Sequence, residues 1–288
     1  MRIYDEKSGI YYEIKDEAAL VCDSDKGIPE AEIPAEYNGK PVTGIMKKAF
    51  LSCRQLRYVK LPDTVRTVGQ WAFSSCDALR VFECHKTEIS FEPGAFKGDR
   101  KLEAIKVSGE SEKTAHLLAA HVVMEADYLL DIMAAGTSEW LEKWDSKLIS
   151  ILNLKDDDGY HLYVLCGEED LHYDYDQYLE YMRKKKSGLC MLRLLNDAEL
   201  GDDLRNRMSE YLRSHTKGCG SEAAWRCLLE NHGDDTEYYE LMINLGCINR
   251  GNLEAVLSDL SDRHAEAKSY LLNAFSEDKD DFFDGMFL

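Results

Sequence analysis

The stretch "AFLSCRQL" at 49–56 returns as "AFSSCDAL" at 72–79 and as "AFKGDRKL" at 95–102. The interval is 23 residues each time, and only the opening Ala-Phe and the closing Leu are kept. Other positions keep step with them. Leu56, Leu79 and Leu102 share one column, and Val59, Phe82 and Ile105 share the next. Leu61, Cys84 and Val107 form a third, and Ile45, Val68 and Phe91 a fourth. So many columns in register mark an internal repeat, since a chance match would hold one or two.

A period in the twenties with L-x-x-V-x-L reads as a solenoid of the leucine-rich type. Each coil places a short strand at that phrase, with its spaced apolar residues pointing inward. One coil cannot close a core, so stacked coils bury one another's columns. The Phe of each Ala-Phe fills the centre and the Ala leaves room for the adjoining turn. The ends of such a stack expose apolar columns and need covering. Upstream, "YYEIKDEAALVC" at 11–22 reads as a β-hairpin and as the N-terminal cap. Downstream the columns run out after Val107, and Ser108-Gly109 punctuates. The helical region that follows is expected to cover the last coil, which explains why the repeat stops.

The run "IPAEYNGKPVTGIMKKAFLSCRQLRYVKLPDTVRTVGQWAFSSC" resembles the bacterial BspA-type leucine-rich repeats, whose unit ends in a turn and then Ala-Phe-x-x-Cys. The resemblance covers roughly residues 9–108. It implies a right-handed solenoid used for protein binding.

The chain has 288 residues, room for about two domains. Hydrophobic residues make up 44% and charged residues 31%, a globular composition, and no apolar run approaches a membrane span. Asp5 and Glu6 stand where a signal peptide needs apolar residues, so export by that route is not expected. The nine cysteines include no C-x-x-C pair, which points to a reducing, cytoplasmic setting. The net charge of −19 is unevenly spread. Residues 1–110 carry 17 Lys/Arg against 18 Asp/Glu, whereas 111–288 carry 18 against 36. The second body repels phosphate backbones, so nucleic acid is not an expected partner.

From Ser111 the period becomes helical. Trp140, Trp144, Leu148, Ile151 and Leu152 fall on one helix face, and the two tryptophans read as core. Further helices are expected from Asp202 or Asp203 to Leu212, from Ser221 to Gly233 and from Asp234 to Gly246. A last pair carries Leu253, Val256, Leu257 and Leu260, then Tyr270, Leu271 and Phe275. That pair faintly resembles an ankyrin-type helix pair. The stretch 137–275 resembles helical segments that follow such repeats in uncharacterised proteins of gut Firmicutes, which implies no activity. The expected fold is α+β overall. A short leucine-rich β-solenoid with its hairpin cap spans 1–110, and an acidic α-helical domain spans 111–288, with a subdivision near residue 200 left open.

Catalytic and metal chemistry find little support. Asp156–Asp158, Glu168–Asp170, Asp174 and Asp176 form the densest acidic stretch, but Gly159 is not at the sixth place of an EF-hand loop. It reads as a solvated loop, with Arg183–Lys186 close enough in sequence to neutralise it. Gly218–Ala223 fits G-x-G-x-x-A formally, yet a helix precedes it, so it reads as a helix stop and cap. His215, Cys219, Cys227, His232 and Cys247 match no standard zinc spacing. No nucleophile has an oriented base, and no cofactor is expected. The expected function is therefore a non-enzymatic interaction module with a protein partner. Its expected contact face comprises Tyr58, Lys60, Val81, Glu83, His85, Ala104 and Lys106, the residues alternating with the inward columns. Tyr58 is the expected anchor. The rival readings make the acidic helical part an enzyme or metal-binding domain, or the neutraliser of a basic protein.

Overall fold

The structure is a computed structural model that describes residues 2–161, 175–260 and 264–276. The chain divides into two compact units, Met1–Leu148 and Ile149–Leu288.

The first unit opens with three antiparallel strands, β1 (Arg2–Asp5), β2 (Ile10–Lys15) and β3 (Ala18–Ser24). The last two are the expected hairpin. Parallel pairing then begins, and β3 is followed across the sheet by β6 (Lys40–Ile45), β8 (Thr67–Val68) and β10 (Ser90–Phe91). A second sheet is wholly parallel, in the order β11 (Ala104–Val107), β9 (Val81–Cys84), β7 (Tyr58–Lys60) and β4 (Glu30–Glu32). Its register pairs Tyr58 with Val81 and Val81 with Ala104, so the 23-residue interval of the sequence is one turn of the solenoid.

β4 adds one coil to the three legible in the repeat. Glu30 pairs with Tyr58, 28 residues on, because this coil carries an insertion. The short β5 (Glu36–Tyr37) turns back on β6 with Tyr37 opposite Lys40. The two residues between them, Asn38 and Gly39, have φ of 50° and 71°. An Asn-Gly pair with both φ positive suits a tight hairpin turn.

The core is a ladder of like on like. Phe50, Phe73 and Phe96 stack with centroids 4.9 and 5.5 Å apart, nearly parallel at 11° and 10°. Phe82 meets Phe73 and Phe96 edge-on. Each such ring pair adds about 0.5–1.5 kcal/mol beyond its buried area. The preceding alanines, Ala49, Ala72 and Ala95, are buried. Their turns are held between coils by Phe50 N–H donating to Ala72 O at 2.7 Å and Phe73 N–H to Ala95 O at 2.8 Å. Two left-handed residues bracket each Ala-Phe. They are Lys48 and Ser52, then Trp71 and Ser75, then Gly94 and Gly98, with φ between 56° and 90°. Outside glycine this conformation costs about 1–2 kcal/mol per residue.

A polar ladder runs beside the aromatic one. Ser24 Oγ lies 3.2 Å from Cys53 Sγ and donates to Ala49 O, and the Cys76 thiol donates to Phe50 O at 3.2 Å. Both cysteines are free and fully buried. Asp99 ends the ladder, with 0% of its surface exposed. Its Oδ1 accepts from Cys76 N–H at 2.7 Å, while Oδ2 has no hydrogen-bond partner. Burial pushes this carboxyl up to about 9, so it keeps its proton at neutral pH.

Helices close the stack. α1 (Glu112–Ala119) is capped by Ser111, whose Oγ accepts from Thr114 N–H, and it packs on β11. His116 Nδ1–H donates to Glu103 O at 2.8 Å. In α2 (His121–Met124), the His121 ring meets Phe96 edge-on at 5.8 Å and so continues the aromatic ladder. Burial lowers the His121 pKa, and the neutral ring donates from Nδ1 to Leu118 O. Helix α3 (Ser138–Asn153) brings the two tryptophans. Trp140 donates to Leu129 O and Trp144 to Leu117 O, both from buried indoles. They are core, as their spacing predicts. The cap is thus local: helical residues up to 148 belong to the same compact unit as the solenoid.

Beyond the end of α3 the regular elements described in the second unit are helices joined by turns. It contains α4 (Tyr175–Leu195), α5 (Asp202–Ser214), α6 (Ala223–Asn231), α7 (Thr236–Asn244), α8 (Leu253–Asp259) and α9 (Ala265–Ser276). α4 packs against α5, α6 and α7, and α7 against α9. The basic run on α4 does neutralise part of the acidic stretch. Arg183 Nε and Lys186 Nζ each donate to Asp156 at 2.8 Å, and Lys184 pairs with Glu230. Glu168, Glu169, Asp170 and Asp174 lie outside the described residues. At Gly218–Ala223 the chain makes a helix stop, with Gly218 at φ 90° and Glu222 Oε1 accepting from Gly218 N–H.

Candidate protein-binding face

The parallel sheet presents two outward rows set by its register. One row is Glu30, Tyr58, Val81 and Ala104, and the other is Glu32, Lys60, Glu83 and Lys106. The second row alternates in sign from coil to coil. Lys60 Nζ lies 4.0 Å from Glu83 Oε2, and Lys106 Nζ lies 3.9 Å from Glu112 Oε1. Pairs this exposed contribute at most about 1 kcal/mol each. They hold side chains in place more than they hold the fold together.

Tyr58 is half-buried, and its hydroxyl donates to Glu83 Oε2 at 2.7 Å. Desolvation, then this carboxylate, push its pKa above the ordinary tyrosine range. It remains a neutral phenol with its ring fixed across two coils. Val81 is half-buried beside it, and Lys60, His85 and Lys106 are exposed.

Ala104 departs from expectation. It is 2% exposed and offers no contact surface. It lies on the outermost strand, against which α1 packs, so its burial follows from the cap rather than from strand alternation. Glu30 and Glu32 extend the face instead, on β4, and both are exposed. The alternation Glu30-Ala31-Glu32-Ile33, with Ala31 and Ile33 buried, is the signal that could have found them. Pro29 and Pro34 flank this edge strand, and each lacks an N–H to offer a further strand.

Among the described residues, no group of three or more His, Cys, Asp or Glu is placed to hold a metal ion. His215 stacks on Tyr211, His232 stacks on Tyr238, and the Cys219 thiol donates to Arg213 O. Cys227 and Cys247 are buried thiols whose pKa values burial raises to about 11. An open hollow in the second unit is lined by Leu152, Arg207, Glu210, Tyr211 and Ser214, with Arg207 engaged to Asn153. Among the described residues no helix is long and apolar enough to cross a membrane.

With this geometry in view, the comparison with known families is specific. Residues 29–116 match the BspA type leucine rich repeat region, in six copies. Three solved structures are similar, each 22% identical. A leucine rich cell surface protein from Faecalibacterium prausnitzii aligns over 38% of this chain and 32% of its own, with a TM-score of 0.33. A leucine-rich repeat protein from Bacteroides capillosus aligns over 38% and 99%, with a TM-score of 0.28. The T. pallidum leucine rich repeat protein aligns over 35% and 58%, with a TM-score of 0.26. The chain therefore spans about a third of the first of these proteins and somewhat over half of the last. No curated protein matches it.

Proposed function

We propose that this is a non-catalytic, cytoplasmic interaction protein whose parallel strand face binds a protein partner. The observation that carries the reading is the register. Four short parallel strands present Tyr58, Lys60, Val81, Glu83, Glu30 and Glu32 as a rigid array whose spacing the core ladder sets. Leucine-rich repeats are typical interaction modules, and stacked coils provide an extended surface for that use. Tyr58 is the anchor, because a held aromatic loses little entropy on contact.

The test is the double substitution Tyr58→Ala with Lys60→Ala. The melting temperature is expected to stay within a few degrees, since one half-buried ring and one exposed lysine are lost. Capture of the partner is expected to weaken by about 1–3 kcal/mol. Unchanged capture with unchanged stability removes the face from the interface. Charge favours a second contact. Residues 149–288 hold 15 Lys/Arg against 29 Asp/Glu, which suits a basic protein, and capture by this unit is then expected to fall steeply with salt.

A further inference from the structure

Four cations of the solenoid are paired between coils. Arg54 faces Asp77, Lys60 faces Glu83, Arg80 faces Glu103 and Lys86 faces Glu110. Three lysines at the Ala-Phe turns differ. Lys47, Lys48 and Lys97 are exposed there, and none has a carboxylate partner among the described residues. Lys47 and Lys48 instead hold their ammonium groups 5.0 and 5.1 Å from the centroid of the Trp71 ring. The carboxylates of this ridge are turned to the backbone: Glu92 accepts from Gln70 N–H and Asp127 from Gly94 N–H, each at 2.8 Å.

Trp71, at φ 56°, holds the turn position that Lys48 holds one coil back and Gly94 one coil on. An aromatic of this bulk is uncommon in the left-handed region. The indole lies against Gly94 so closely that a Cβ there would come within 2.7 Å of it, and Lys97 rises from the same spot. Trp71 is half-exposed, and it gathers two lysines over its ring beside a third.

We propose that the ridge formed by Lys47, Lys48, Trp71 and Lys97 docks an acidic peptide segment of a partner protein. Cation–π contact orients the ammonium groups without neutralising them, so they remain receptive to carboxylates. Lys48 and Lys97 belong to coils two apart, about 10 Å, a span that three residues of extended peptide cover. The occupant is a peptide for two reasons. The lysines lie over the ring that a nucleobase would stack on, and three cations fall short of the four to eight that mark a site for anionic lipid. The net charge of −19 does not forbid the contact, because at physiological salt a patch acts over a Debye length of about 8 Å. This ridge is distinct from the strand face proposed above, and neither proposal requires the other.

The experiment is calorimetric titration of the full chain with a deca-glutamate peptide at low and physiological salt. Deca-lysine, an oligo-uridylate and phosphatidylserine vesicles serve as comparison ligands. Deca-glutamate is expected to bind, less tightly at higher salt, and Lys47→Glu with Lys48→Glu to weaken it about tenfold or more. Both side chains are exposed, so circular dichroism of that variant should match the parent. Trp71→Gly is expected to weaken binding severalfold while the fold persists, since glycine suits the turn. Absent deca-glutamate binding overturns the proposal. So does equal affinity in the double-glutamate variant, or tighter binding of the oligo-uridylate or the vesicles. A Trp71→Gly variant that loses thermal stability but binds fully shows that the tryptophan only staples the coils, and removes it from the site.

Discussion

Replacing Asp99 by Asn isolates one proton. The carboxyl is fully buried, accepts one amide N–H and has an ordinary value of 3.8 raised to about 9 by burial. A group whose folded value is raised contributes its full stability below the unfolded value and loses it as pH rises towards the folded one. Above pH 4 the unfolded chain releases this proton while the folded chain keeps it. Stability falls by about 1.4 kcal/mol per pH unit, hence by roughly 4 kcal/mol between pH 5 and pH 8. Above pH 9 the folded carboxyl ionises too and the dependence ends. Asparagine has the same shape and no proton to lose. Its extra N–H group takes the place of an oxygen with no partner, which adds a pH-independent cost of about 1–3 kcal/mol. The readout is therefore the slope and not the offset. Urea unfolding followed by circular dichroism at pH 5, 6, 7 and 8 gives the stability difference between variant and parent, in which the other titrating groups cancel. The variant is expected to gain on the parent at each step upward. Parallel pH profiles, or a gain on going downward, would refute a buried protonated Asp99.

Other outcomes follow from the same core. Phe73→Ala removes the middle ring of the stack and is expected to cost about 3–5 kcal/mol in chemical denaturation. A fragment of residues 1–110 exposes the Leu102, Ile105 and Val107 column and should bind a hydrophobic dye, whereas 1–148 should melt cooperatively without binding it. Cys53 and Cys76 should resist alkylation until the chain unfolds. The Cys76 thiol lowers that of Cys53 to about 7, but full burial keeps the reagent out, so rapid native-state labelling of either would contradict the core assignment.

The solenoid was legible because its core stacks like residues, and identical needs at each coil leave identical letters. Phe50, Phe73 and Phe96 announce themselves. The coil of β4 did not, because no Ala-Phe precedes that strand and the Asn38-Gly39 hairpin stretches the interval to the next strand to 28 residues. The exposure of Ala104 is decided by the helix packed on its strand, and strand alternation has no knowledge of that neighbour. The turn ridge was hidden for a different reason. Lys48, Trp71 and Gly94 share a backbone torsion and no side-chain property, so no column of letters reveals them. In the helical half the start and stop residues bracketed α5, α6 and α7, but only Asp235 caps with its side chain as read, and Gly201 and Glu222 stand at the caps of α5 and α6. Helix α4, with the charged run Arg183–Lys186 inside it, was not read as a helix.

The aromatic ladder also bears on how such a chain can lengthen by duplication. A copy of the middle coil would meet Phe below and Phe above, as the original does, and its backbone would find the same donors and acceptors on either side. Gene duplication inside residues 69–91 therefore inserts a coil that keeps the ring stack and the backbone bonds between coils, at the cost of moving the Trp71 ring aside, because the copied tryptophan would stand where Gly94 now fits. The last coil lacks this freedom. Gly94 fits beneath Trp71, Asp99 ends the polar ladder, and Phe96 meets His121 of the cap. A second copy of that coil would set a protonated acid where the stack expects a thiol, and a histidine's neighbour where it expects another phenylalanine's. Growth is thus open in the middle and closed at the end, and the array can vary in length while its helical terminus stays the same.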